Sequence, residues 1–212
     1  MLRMKDVRLI AVGTGCVYIM LVGVMSQMVP RQMSIGISQG QAVTNLSIAA
    51  FIGVPGAFVW GWLGHKFGSK GGVMIYSCWW IVAIAVNAYF SLNPVTLWIS
   101  LIMLGFSFGG ATNLATSLVA DKFPRSAFVG ANAVVQPIQA IIRSLATTIL
   151  AFGLQRFGGP DTDNPSYAGA YTLLIGVGMV ALVLFSLTST KPSAQTLAAE
   201  RLAAETTPPE EV

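Results

Sequence analysis

Four stretches of this chain, residues 9–30, 32–64, 71–120 and 164–190, contain no Asp, Glu, Lys or Arg. Each is long enough to cross a hydrocarbon core, which takes ~20 apolar residues in helical form. A soluble domain carries about a quarter of its residues as charges, whereas these 212 residues are 9% charged and 54% hydrophobic. A water-soluble globule is therefore excluded, and the fold class is an all-α polytopic membrane protein. A barrel would instead show ~10-residue strands of alternating hydrophobicity. Within lipid the helix satisfies every backbone polar group inside one segment.

Punctuation divides the longer runs. Pro94 disfavours helix at Asn93, so Ser91-Leu92-Asn93-Pro94 splits the third run. The polar, glycine-containing segment 36–41 separates the first two apolar blocks. Six transmembrane spans are predicted, at about 9–29, 42–63, 72–91, 95–118, 129–154 and 168–189, within a bundle over 1–190. Residues 191–212 turn to Ala, Thr, Pro and Glu and are predicted to be a flexible cytoplasmic tail. The first span follows Arg3, Lys5 and Arg8 as a signal peptide does, but its apolar stretch is too long, so it is read as a retained helix.

Orientation follows from the cations. With the amino terminus inside, nine cations fall in inner segments (Arg3, Lys5, Arg8, Lys66, Lys70, Lys122, Arg125, Lys191 and Arg201), against two, Arg31 and Arg156, in outer connectors. The positive-inside rule then places both termini in the cytoplasm, in a multi-pass protein of the plasma (inner) membrane.

The twelfth cation is Arg143, in the middle of the fifth span. It lies 14 residues beyond Val129 and 11 before Leu154, over ~15 Å from either end at 1.5 Å per residue, too far to snorkel. A guanidinium at that depth costs ~2.5–3.5 kcal/mol on insertion scales and marks a functional path by default. The spans contain no acid to neutralise it, since the eight are Asp6, Asp121, Asp161, Asp163 and four in the tail. Its counter-charge is a substrate anion, an acid on another polypeptide, or backbone and Gln carbonyls. Asn132, Gln136, Gln139, Arg143 and Thr147 recur at helical spacing and make the fifth span's polar stripe, with Pro137 inside it. The planar guanidinium suits a carboxylate, and Gln136 and Gln139 are candidate orienting donors. Tyr18 and Thr14 on the first span, Asn45 and Ser47 on the second, and Ser107, Thr112, Asn113, Thr116 and Ser117 on the fourth either line a cavity or glue helices together.

Small residues predict close packing: Gly53, Ala57 and Gly61 recur every fourth residue on the second span, and Gly105 with Gly109 repeats the spacing on the fourth. Trp98, Tyr89, Tyr167 and Tyr171 fall near outer boundaries, and Trp60 and Trp62 near an inner one, as belt residues do. Trp79 and Trp80 lie deeper and are assigned to packing. The two cysteines, Cys16 and Cys78, sit in apolar runs and are read as buried thiols. The only histidine is His65. With no His or acid cluster, catalytic metal sites and Ser-His chemistry within the spans are excluded, so the chain is not read as an enzyme, and no metal or other cofactor is implied. Acidic or basic rings and a filter loop, which a channel would need, are absent.

The segment Gly61-Trp62-Leu63-Gly64-His65-Lys66-Phe67-Gly68-Ser69-Lys70 resembles the gating loop of the major facilitator superfamily, G-x-x-x-[DE]-R-x-G-[RK]-[RK], which lies between the second and third helices of a six-helix half. Gly61, Gly68 and Lys70 match and Lys66 replaces Arg; His65 stands for the acid and Ser69 for a base. Residues 105–110 and the basic stretch 120–125 look like the fourth helix and inner loop of that family's carboxy-terminal half. The resemblance implies six helices as two inverted three-helix repeats, half of a major facilitator fold. It implies a partner: an amino-terminal transporter half on a separate chain, a second copy, or the remainder of a protein of which this is a fragment. More weakly, Arg143 resembles the cation by which oxalate/formate antiporter-like carriers engage a carboxylate, although their second cation, on the second helix, has no counterpart in residues 42–63.

Together these readings predict secondary active transport of a small organic anion by alternating access, with Arg143, Gln136, Gln139, Tyr18 and Asn113 as substrate-binding residues. Exporters of neutral or drug-like solutes and a non-transporting membrane partner are the alternatives. The expected partners are the lipid bilayer, the anion and the second half; nucleic acid is not among them.

Overall fold

The computed structural model describes residues 5–90, 93–123, 125–158 and 167–188. These residues form six helical elements and no strand: α1 (Lys5–Ser34), α2 (Gln39–Phe90), α3 (Pro94–Phe108), α4 (Gly110–Lys122), α5 (Arg125–Phe157) and α6 (Ala168–Leu187). Five helical stretches are long and apolar enough to cross a membrane: Lys5–Ser34, Gln39–Phe90, Pro94–Lys122, Phe128–Phe157 and Ala168–Leu187. The tail, Arg3, Ser91, Leu92, Asp161 and Asp163 lie outside the described residues.

The second stretch is two helices that meet at Gly68, where φ 75° and ψ 156° are accessible to glycine and strained for other residues. The chain reverses there. A Cβ on Gly72 would lie 2.8 Å from the Cα of Gly64, whereas residues eight apart in a straight helix are separated by ~12 Å. A second punctuation falls at Asn93, which is extended as a residue before proline must be. Its side chain accepts from the Thr96 N–H at 2.9 Å and caps α3, with Pro94 in the first turn. The polar connector after α1 turns at Gly36, φ +89°.

The first arm of α2 crosses α3 backbone to backbone. A Cβ on Gly56 would meet the Phe106 carbonyl oxygen at 2.1 Å, one on Gly105 the Ala49 oxygen at 2.4 Å, and one on Gly109 the Gly53 oxygen at 2.1 Å. Four of the five small residues singled out by spacing, Gly53, Ala57, Gly105 and Gly109, lie in this crossing. Gly61 does not: nothing approaches its Cβ position within 4 Å. Gly56 takes the contact instead, because the crossing drifts around α2 more slowly than a strict four-residue step.

Beside the crossing, Trp60, Tyr76, Trp79 and Phe106 pack edge-on or tilted, with centroids 4.8–5.9 Å apart. Their polar tips are spent on α3 carbonyls: Trp60 Nε1 donates to Phe106 O at 3.0 Å, Trp79 Nε1 to Met103 O at 3.1 Å, and the Tyr76 hydroxyl to Ser107 O. These carbonyls precede the α3–α4 break at Gly109. Trp60 is thus a core residue rather than a belt residue. Tyr167 and Tyr171 are also fully buried, packed edge to face with ring centroids 5.8 Å apart, whereas Trp62, Tyr89 and Trp98 are exposed. Arg31 is part of α1 rather than of a connector, and it is buried, its guanidinium 5.3 Å from the Tyr167 ring. Cys16 is buried but Cys78 is exposed; an apolar run has an outward face as well as an inward one, and Cys78 shares that face with Ile75 and Val82.

The contrast between two glycines tests this crossing. Gly56→Ala has to push α2 off α3 and is expected to cost about 1–3 kcal/mol, lowering the thermal midpoint in detergent. Gly61→Ala meets open space and is expected to be neutral or to gain up to ~1 kcal/mol of helix propensity.

Candidate functional site

The polar stripe on α5 is resolved by its packing on α1. At about 100° per residue, Asn132, Gln136, Arg143 and Thr147 occupy a narrow arc, and Gln139 sits at the edge of that arc nearest α1. Gln139 is 3% exposed, and its Nε2 donates to Thr14 Oγ1 at 2.6 Å. Thr14 in turn donates to the Ile10 carbonyl at 2.6 Å. One step on, Gly15 lets Ile142 approach: a Cβ there would lie 2.8 Å from Ile142 Cγ2. Gln139 is therefore part of the α1–α5 contact, with one amide N–H donated to Thr14, and the open face keeps Gln136, Arg143 and Thr147, all exposed.

Arg143 projects from this face. Among the described residues no hydrogen bond or ion pair holds its guanidinium. Pro137 has no N–H to give the carbonyl of Ala133 one turn before it, and both residues are exposed. The Thr14–Gln139 and Gly15–Ile142 contacts make α1 and α5 parallel and in register. Tyr18, four residues beyond Thr14, therefore lies at the same depth as Arg143, four beyond Gln139.

Tyr18 donates to Thr112 Oγ1 on α4 at 3.3 Å. Asn113 Nδ2, next to it, reaches the Ala57 carbonyl on α2 at 3.4 Å. Ala57 also lines an open apolar groove of about 490 Å³ with Met25, Gly53, Val54, Phe58 and Phe108. No hydrogen bond joins Arg143 or Gln136 to Tyr18 or Asn113 among the described residues. The candidates thus form two polar groups at one depth, one on α5 and one where α1, α2 and α4 meet.

The residues of the loop after the second span gather at the opposite end of the molecule from Arg31. Gly68 makes the turn, His65 and Lys66 are exposed, and Gly61 faces open space. Lys70 Nζ donates to the carbonyls of Ser186 at 2.9 Å and Thr188 at 2.7 Å, closing the carboxyl end of α6 as a cation does at a helix terminus. A cavity of about 300 Å³ lies between this turn and the end of α4, bordered by Phe67, Lys70, Leu118, Asp121 and Lys122. Lys122 pairs with Asp6 on α1 at 3.5 Å. Sequence reasoning missed this pair and the Lys70 bonds, because partners 116 or more residues apart leave no spacing signal. The Thr14–Gln139 bond was legible only as two polar residues on two spans.

An all-helical bundle of membrane-length apolar segments, with a cation and an amide on an exposed mid-helix face of α5, defines a polytopic integral membrane protein. Residues 9–210 match the sequence model of the Major Facilitator Superfamily. The chain belongs to that family, whose members carry out membrane transport rather than enzymatic catalysis. No curated protein matches it.

Thr14→Val keeps the shape at position 14 and strands the buried Gln139 amide. It is expected to cost about 1–3 kcal/mol and to lower the thermal midpoint, whereas Gln136→Leu, on the open face, leaves the midpoint unchanged.

Proposed function

We propose that this protein is a secondary carrier for a small organic carboxylate, working by alternating access, and that Arg143 captures the anion. Its six spans, the two arms of α2 counted separately and α3–α4 as one, form two inverted three-helix units. A second six-helix bundle, on whichever polypeptide carries it, closes the path. The observation that carries the reading is the exposed Arg143 guanidinium at mid-helix, without a partner among the described residues. A buried cation already neutralised by protein would have no charge left to offer, whereas this one is available to an incoming carboxylate.

Gln136, exposed two turns before Arg143, is the orienting donor; Tyr18 and Asn113 border the path on the α1–α4 side. Gln139 serves the site from behind, through Thr14. The likeness to oxalate/formate antiporters rests on Arg143 alone, and exchange of one carboxylate for another is the mode it suggests. The cation-rich end holding Lys5, Arg8, Lys66 and Lys70 faces the cytoplasm of an inner-membrane protein. An exporter of cationic solutes would place an acid on the open face, and α5 offers an arginine there.

Uptake of radiolabelled mono- and dicarboxylates into vesicles containing the protein tests the proposal. Arg143→Gln is expected to lower carboxylate flux about 10- to 100-fold, the equivalent of a charge-assisted hydrogen bond of ~1.5–3 kcal/mol. Arg143→Lys retains part of the flux. Undiminished flux of every carboxylate in Arg143→Gln removes the capture role.

A further inference from the structure

The turn at Gly68, in the segment that resembles the family's gating loop, carries an arrangement that anion capture at Arg143 does not use. Trp62 is 56% exposed and Phe67 54% exposed, and they stand at the last turn of the first arm of α2. Between them Lys66 Nζ lies 4.7 Å from the Trp62 ring centroid and 5.6 Å from that of Phe67. His65, beside it, is exposed. Among the described residues no ion pair reaches Lys66 or His65; Asp6 is on Lys122, and Asp121 borders the adjoining cavity with Phe67 and Lys70.

We propose that this corner is a binding site for an anionic phospholipid, the ammonium of Lys66 taking the phosphodiester and the faces of Trp62 and Phe67 packing on the upper acyl chain and glycerol. Three features favour that occupant. The corner sits where the apolar run of residues 32–64 ends and the charged turn begins, which is the headgroup level, where Trp and Lys anchor helices. Its charge is net positive, Lys66 and Lys70 outnumbering the Asp121 that borders the adjoining cavity, so a zwitterionic headgroup brings an ammonium that it repels, and an anionic one does not. The ammonium is also preorganised. Two ring faces hold a side chain that otherwise swings freely, so the ordering cost of binding is largely met before the lipid arrives. The proposal does not depend on the carboxylate reading or on which leaflet the turn faces.

Native mass spectrometry of the full-length protein, with phosphatidylglycerol or phosphatidylcholine added to the detergent micelle, tests it. Wild type is expected to retain phosphatidylglycerol in preference, and Lys66→Gln to lose about five-fold of that preference, the share of one lysine near an anionic surface. Lys66→Arg keeps the preference, and Arg8→Gln, an exposed cation on α1, leaves it intact. An unchanged ratio in Lys66→Gln, or an equal loss in Arg8→Gln, overturns the site. A photo-crosslinking amino acid at Trp62 in native membranes is expected to yield lipid adducts. Adducts to protein instead assign the corner to a docking partner and overturn the proposal.

Discussion

The hydrogen bond from Gln139 to Thr14 sets the rotation of α5, and with it the meaning of every residue on that helix. At about 100° per residue, the positions buried on either side of Gln139, among them Val135, Ala146 and Leu150, make one arc. The polar arc of Gln136, Arg143 and Thr147 adjoins it. Ile141, Leu145 and Phe152, exposed by 69%, 49% and 59%, lie roughly opposite Arg143. Such a helix has three faces: one packed on protein, one exposed and apolar, and one exposed and polar that carries the cation. A buried amide left without its acceptor is costly in any low-dielectric setting, so the bond is difficult to slip. It holds Arg143 one turn away on the open side.

The rest of the bundle solves the backbone problem that a membrane poses. Where α3 gives way to α4 at Gly109, indole and phenol donors from α2 supply the neighbouring carbonyls. Those rings come so close only because Gly53, Gly56, Gly105 and Gly109 let the helices cross at backbone contact. Packing and hydrogen bonding are therefore one device, and the groove that Ala57 and Phe108 line is its outer edge. At the charged end, Asp6–Lys122 and the Lys70 bonds to α6 tie α1, α4, α2 and α6 into one cap.

What the sequence revealed and what it hid divide along a physical line. Charge-free runs, the Asn93-Pro94 break and the connector between residues 63 and 72 are local properties, written within a few residues, and they were legible. Periodicity also showed the polar stripe. It did not show that Gln139, about 40° from Arg143 on the wheel, faces α1, because which edge of a stripe packs is decided by the neighbour. The same limit explains Trp60, Tyr167 and Tyr171: an aromatic near a span boundary suits a belt or a core equally, and only the tertiary partner selects. Gly56 escaped a search for four-residue repeats because close crossing is a property of two helices. Arg31 looked like a connector residue because its charge ended an apolar run, yet the helix continues past it and folds it onto Tyr167.

The central claim is that Arg143 meets water in mid-membrane. Cysteine accessibility measures this directly, in a background with Cys16 and Cys78 replaced. With a membrane-impermeant thiol reagent on sealed membranes, Arg143→Cys is expected to label readily and Ile141→Cys to stay unlabelled. Equal resistance at both positions would put the guanidinium against lipid or inside a dry contact, and would contradict the account.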